Sequence, residues 1–301
     1  MAAIDDLLST FMISRASFDG GVMSLRQFVG PTLADHRGRI EMPAYAVMVE
    51  SATSGAFWYS LGEPVGSVQS WLSLASAAPV VANQQLSAKS LLVRRDDRYG
   101  TLTVQISDER DDVVCVGVGR CVRVGRTSDA LSAIDGAPSE TGSAFASPTG
   151  VLPPPIDPEL DGSQILAEIG KGRISPGPLC ELLCATVKSD NDTTQLVVSP
   201  QQWMANPLGT MQGGVVTAIV SQACVLAGQR YTIPGQQYSL AGFNINFFRS
   251  PPVDGELTVT TTLDKLGQRI GTLSAIMTGS NGVTFARAVA DIEYQPAPRL
   301  D

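Results

Sequence analysis

Two long apolar stretches rich in small residues stand out along the chain, and strand-type alternation follows each. Met42 to about Leu61 carries apolar positions at helical spacing, with Pro43 tolerated in the first turn. Met211 to about Gln229 is a second such stretch, apolar on several faces. Period-two alternation follows the first at Leu86 to Arg94, Thr101 to Ser107 and Val113 to Val124. It follows the second at Phe243 to Phe247, Leu257 to Leu263, Gly271 to Thr278 and Val283 to Tyr294. A long helix and then a run of meandering strands, twice over, predicts an α+β chain. Each half is an antiparallel sheet wrapped around a central helix.

The seam between the halves is visible in composition. From Gly125 to Gly162 the chain is rich in Ser, Ala, Gly, Asp and Pro, with Pro153-Pro-Pro155 inside, and supplies no periodic face to bury. This sets an N-terminal unit at 1–124, a linker at 125–162 and a C-terminal unit at 163–301. The halves also match segment by segment. Arg94 and Gly100-Thr-Leu-Thr-Val104 align with Arg249 and Gly255-Glu-Leu-Thr-Val259 at one offset. The helices align at another, Glu41–Glu50 over Gln212–Ser221, with the difference assigned to a longer connection from Glu63 to Asn83.

Composition narrows the function. A chain of 301 residues with 44% hydrophobic positions is sized for two cored domains. A formal charge of −8 without a Lys/Arg cluster argues against nucleic acid, while a few local arginines can still bind an anionic ligand. No apolar run reaches membrane-span length, and the acidic N-terminus lacks a signal peptide's bases. The five cysteines form no C-x-x-C pair, so zinc or redox chemistry is not expected and reduced core thiols are. A cytoplasmic protein is the simplest fit.

The chemistry concentrates in Asn206-Pro-Leu-Gly-Thr-Met-Gln-Gly-Gly-Val215. A polar loop ends in two glycines at a helix start. There a ligand can approach the backbone, and free N–H groups with the helix dipole can hold an oxygen that gains negative charge. The pattern N-x-x-G-x-x-(H/Q)-G-G before such a helix resembles the hotdog-fold acyl-CoA thioesterases of the PaaI and 4-hydroxybenzoyl-CoA thioesterase type. The resemblance implies a tandem double hotdog. It also implies a catalytic Asp or Glu nine positions after the His or Gln. Here that position is Ser221. At the helix offset, Glu50 occupies the same place in the half that has Met42-Pro43 instead of Gly-Gly.

In this family, sites lie between two hotdogs, the loop and helix start of one facing the carboxylate of the other. One composite site therefore joins Glu50 to Asn206, Gln212 and Gly213. The other joins Ser221 to Asp35, Glu41 and Met42, and lacks a base. Glu50 is expected as nucleophile, giving an anhydride, or as base toward water; the Gly213 N–H as oxyanion donor; and Asn206 as orienting group. Gln212 and Gly214 are expected to bind the substrate, together with Arg249 and Ser250, and Gln212 also fixes the loop. Arg249 is a candidate for CoA phosphates, as is Arg94, with Ser250 beside the site. None of these roles calls for a metal or cofactor. The substrate expected is a fatty or aromatic acyl-CoA.

Plainer roles exist for several candidates. Glu50 could be a solvated helix acid in chance register, although its neighbours Val47, Val49 and Ala52 are apolar. Ser221 is a tolerated helix serine without an activating His, and His36 lies off the motif. Phe57-Trp58-Tyr59 is core, acyl pocket or both. A non-catalytic acyl-CoA-binding protein is the alternative function, and a hydratase is disfavoured by the displaced His36. Further assembly into homo-oligomers of double hotdogs stays open.

Overall fold

A computed structural model describes residues 3–132, 150–189 and 193–296. Its six helices are α1 (Ala3–Thr10), α2 (Ala46–Leu61), α3 (Asp129–Ser132), α4 (Gly162–Gly170), α5 (Pro178–Leu182) and α6 (Gly213–Gln229). The first-half strands are β1 (Ile13–Asp19), β2 (Val22–Val29), β3 (Ser67–Ser76), β4 (Gln84–Arg95), β5 (Tyr99–Ser107) and β6 (Val113–Arg123). Those of the second half are β7 (Ala185–Ser189), β8 (Thr194–Val198), β9 (Tyr238–Phe247), β10 (Leu257–Leu266), β11 (Ile270–Gly279) and β12 (Thr284–Tyr294).

All twelve strands form one sheet in the order β1-β2-β4-β5-β6-β3-β9-β12-β11-β10-β8-β7. The second half repeats the first in mirror order, and the halves join where β3 pairs antiparallel with β9. Trp71 lies opposite Asn246 and Ser73 opposite Asn244. The Trp71 indole N–H reaches across this seam to Asn244 Oδ1 at 3.1 Å. The sheet curls around two central helices, so the chain is a tandem pair of hotdogs.

The central helices are held by burial. In α6 every residue from Gly214 to Gln229 is buried, and all are apolar or small except Thr217, Ser221, Gln222 and Gln229. A helix apolar all round is stable only where every side is covered. Residues of α2 and α6 pack against each other as well as against their own sheets. At their crossing, a Cβ on Gly214 would lie 2.6 Å from Val47 Cα. The glycine is what lets the two backbones meet.

Two expectations need correction. The segment from Glu63 to Asn83 is not only a connection, because it contains β3. With that strand counted, a single displacement of 171 residues relates the halves. It carries Ser67–Ser76 onto Tyr238–Phe247 and Val113–Arg123 onto Thr284–Tyr294, as well as Glu41 onto Gln212. The bulges repeat too, at Ser70 in β3 and Ala241 in β9. The Gly-x-Leu-Thr-Val match therefore falls on strands that are not equivalent. Gly100–Val104 lies on β5, whereas Leu257–Val259 opens β10, the counterpart of β4. Arg94 ends β4 and is exposed, while Arg249 follows β9, so the two arginines do not correspond.

The strands β1, β2, β7 and β8 were not expected and widen each half at its outer edge. Of the linker, residues 133–149 lie outside the described residues. Its described parts pack down. Ser128 bonds the Pro207 carbonyl at 2.7 Å, and Leu152 with Pro153 lies within contact distance of Gly38. No helix among the described residues is long and apolar enough to cross a membrane.

Candidate active site

The loop before α6 is built by one asparagine. Asn206 Oδ1 accepts from the backbone N–H groups of Leu208 at 2.9 Å and Thr210 at 3.2 Å. Its amide donates to Thr210 Oγ1 at 3.1 Å, its own N–H donates to the Thr210 carbonyl, and Gly209 closes the turn at φ 77°. Asp35 does the same in the first half. Its Oδ1 accepts from Arg37 N at 2.8 Å and Arg39 N at 3.0 Å, with Gly38 at φ 75°. The shared Asn/Asp-x-x-Gly is thus an Asx turn with a left-handed glycine, a backbone device present in both halves. Both ends of the Asn206 side chain are engaged within the loop, so it is placed to hold the turn and not to orient a water.

The next three residues differ between the halves. Gln212 caps α6, its Oε1 accepting from Val215 N at 3.0 Å. Its amide donates to Glu50 Oε2 and, at 3.3 Å, to Ser51 Oγ. Glu50 stands on α2 of the other hotdog and is 4% exposed. The Glu50 carboxylate passes so close to Gly213 that a Cβ there would lie 3.0 Å from Oε1. Burial pushes the Glu50 carboxyl up to about 7, against the opposing pull of the Ser54 side chain and the Gly214 backbone.

These groups lie in one cavity of about 140 Å³ between the hotdogs. Glu50, Asn206, Gln212, Gly213, Arg249 and Ser250 all line it, whereas Gly214 is not in the lining and packs against Val47. Arg249 is exposed at the rim. The remainder of the wall is largely apolar, including Met23, Leu25, Trp58, Tyr59, Val216 and Phe247. Of the aromatic run, Phe57 is core and the other two line the cavity. Ser51, Ser54 and Gly55 were not singled out from the sequence. They follow Glu50 along one face of α2, so helical spacing from the acid could have found them. Gln69, from the overlooked β3, also lines the cavity, accepting from Thr53 Oγ1 at 3.1 Å and donating to the Trp71 carbonyl at 2.9 Å.

The related place in the other half is built differently. Ser221 is fully buried and donates to the Thr217 carbonyl at 2.7 Å, a bond internal to its helix. Asp35, Arg37 and Glu41 stand where Asn206, Leu208 and Gln212 stand in the first site. Arg37 bridges Asp35 at 2.6 Å and Glu41 at 2.9 Å and lies 3.7 Å over the Tyr238 ring. Burial would raise Asp35, but the Arg37 charge and several hydrogen bonds bring it below its ordinary value; for Glu41 burial wins and the carboxyl is raised. Met42 and Pro43 form the 3-10 turn that enters α2, and Pro43 has no N–H to offer. His36 is buried, bonding Gln229 Oε1 at 2.9 Å.

Comparison with known proteins agrees with this fold. Residues 208–286 match the thioesterase superfamily. Among solved structures, the tesB protein of Mycobacterium avium subspecies paratuberculosis superposes with a TM-score of 0.63 at 11% identity, over 97% of this chain and 100% of that one. The acyl-CoA thioesterase II TesB2 of Mycobacterium marinum gives 0.58 at 10% identity, over 97% and 98%. A conserved protein of unknown function with a hot dog fold from Alicyclobacillus acidocaldarius gives 0.59 at 14%, over 97% and 98%. No curated protein matches the sequence. The chain is a tandem double hotdog whose second unit carries the sequence pattern of the thioesterase superfamily.

Proposed function

We propose that this protein is an acyl-CoA thioesterase with one composite site between its hotdogs. The observation that carries this reading is Glu50 from one hotdog held against the Gly213-Gly214 start of α6 from the other, at the wall of an apolar cavity. A carboxyl near 7 is a competent base at neutral pH, because its basicity is matched to the medium. In the reaction, Glu50 takes a proton from water as the oxygen attacks the thioester carbonyl carbon. The carbonyl oxygen gains charge facing the Gly213 N–H, for which the described residues supply no protein acceptor. The C–S bond then breaks, the acid leaves, and the proton passes to the CoA thiolate. Gln212 and Ser54 fix the carboxylate, Asn206 fixes the loop, and Arg249 with Ser250 at the rim meets the polar end of CoA.

We take 1–124 and 163–301 as the two units that contribute these parts, joined through 125–162. The test is a panel of acyl-CoA substrates with thiol detection. Purified protein should release CoA, and Glu50→Gln should lower kcat by about 10²- to 10⁴-fold, the range for loss of a general base. Full activity in Glu50→Gln would refute the composite site. No release of CoA from any acyl-CoA would refute the activity.

A further inference from the structure

One cavity wall comes from neither hotdog. Leu131 lies on α3, in the segment that leaves β6, and it is 5% exposed between the exposed residues Asp129 and Ser132. A lone leucine turned inward from a polar segment needs a fixed anchor, and there are three. Ser128 Oγ donates to the Pro207 carbonyl at 2.7 Å, on the loop of the second hotdog. The same oxygen accepts from Leu131 N at 3.1 Å, which sets the turn that aims the side chain. Upstream, the Arg126 carbonyl accepts from Gly66 N at 2.7 Å, tying the segment to the entry of β3. Gly66, Pro207 and Leu208 line the cavity beside Leu131.

We propose that Leu131 is a specificity-determining residue that limits the acyl group to about the bulk of one aromatic ring or a six-carbon chain. This rests on the thioesterase reading and adds the substrate class to it. The size follows from volume. The cavity holds about 140 Å³, and an apolar cavity of ~150 Å³ is the size that takes up benzene. Part of this space must also admit the thioester beside Glu50. A palmitoyl-sized chain exceeds this volume. Discrimination in an apolar pocket runs at roughly 10-fold or more per methylene that cannot be housed.

The experiment measures kcat/KM for butyryl-, hexanoyl-, benzoyl-, decanoyl- and palmitoyl-CoA on the wild type, Leu131→Ala and Leu131→Trp. Wild type should peak at hexanoyl- or benzoyl-CoA and fall at least about 100-fold by palmitoyl-CoA. Leu131→Ala should move the optimum longer by about three carbons, the number deleted from the side chain. Leu131→Trp should move it to butyryl-CoA. The readout is the ratio of two substrates on one preparation, so a variant that is only partly folded still reports the preference. Unchanged ratios in both variants, or a wild-type optimum at palmitoyl-CoA, overturn the inference while leaving hydrolysis intact. Absence of hydrolysis on every substrate is the distinct failure of the underlying activity.

Discussion

A buried base should cost stability, and Glu50 allows that cost to be measured apart from activity. Its carboxyl rises from the ordinary 4.5 to about 7 because burial disfavours the charge. An acid whose folded pKa lies above its unfolded value binds protons more tightly in the native state. Stability is therefore full below about 4.5, falls as pH rises to about 7, and stays level above that. At ~1.4 kcal/mol per pH unit, the loss between those limits is about 3 kcal/mol. Glu50→Gln removes the titration, so its stability should lack this decline. The introduced amide places an N–H2 near the Gln212 donor, which shifts the variant's whole profile by a constant. The comparison therefore uses the pH dependence and not the absolute value. Thermal unfolding of both proteins at pH 5 and pH 8 is the assay. Moving from pH 5 to pH 8, wild type should lose about 4 °C relative to the variant, given the unfolding entropy of a 301-residue chain. Parallel profiles would mean that Glu50 ionises as an ordinary surface acid, and the account of a tuned base would fail.

The same carboxyl predicts that kcat/KM rises with pH through about 7 and then levels, in a profile absent from the residual activity of Glu50→Gln. Gly214→Ala should destabilise the fold by about 2–3 kcal/mol in chemical denaturation, because the new Cβ meets Val47 Cα and neither backbone can withdraw. Ser221→Ala should leave the rate unchanged, and calorimetry with a non-hydrolysable acyl-CoA should give one site per chain; two equivalent sites would refute the asymmetry. Asn206→Ala should lower kcat/KM through a misplaced loop, and Asn206→Asp, which keeps the Oδ1 acceptor, should recover most of it. If the Asp variant is as impaired as the Ala variant, the asparagine amide has a direct role instead.

The legible parts of the sequence were those with a strong local signature. The two central helices stand out because long apolar runs of small residues have no other use in a chain this polar elsewhere. The pairing of Glu50 with Gln212 followed from the repeat register together with what the family resemblance implies, and the structure brings the two side chains into contact. What stayed hidden was the weakly patterned β3. Its Ser67-Val-Gln-Ser-Trp-Leu-Ser-Leu alternation is diluted by serines and broken by the bulge at Ser70. Passing over one strand shifted the strand count of the first half, so Gly100–Val104 met the wrong partner. The outermost pair β7 and β8 was missed for a different reason. At five residues each, they are too short to establish a period.

The exact repeat separates what the fold requires from what the chemistry requires. Asp35 and Asn206 make the same turn with the same donors, and both turns lead into a central helix, so this half of the motif serves the entry to the helix in either unit. The remaining positions part company. Where Gln212 and Gly213 bring a carboxylate to free backbone donors, Glu41 and Met42 cannot. Glu41 carries the charge on the loop side, and Pro43 removes the donor. A buried arginine then becomes the stable solution, because Asp35 and Glu41 together offer it two carboxylates in a region with little water. An acyl group entering this region would have to disturb the Arg37 ion pairs, which is why the proposed function places the thioester in the Glu50 cavity. A carboxylate restored at Ser221 would have Met42-Pro43 as its partner helix entry, not a Gly-Gly helix start. On this reasoning Ser221→Asp creates no second activity, and only replacement of the whole Asp35–Pro43 segment by the Asn206–Gly214 sequence could do so.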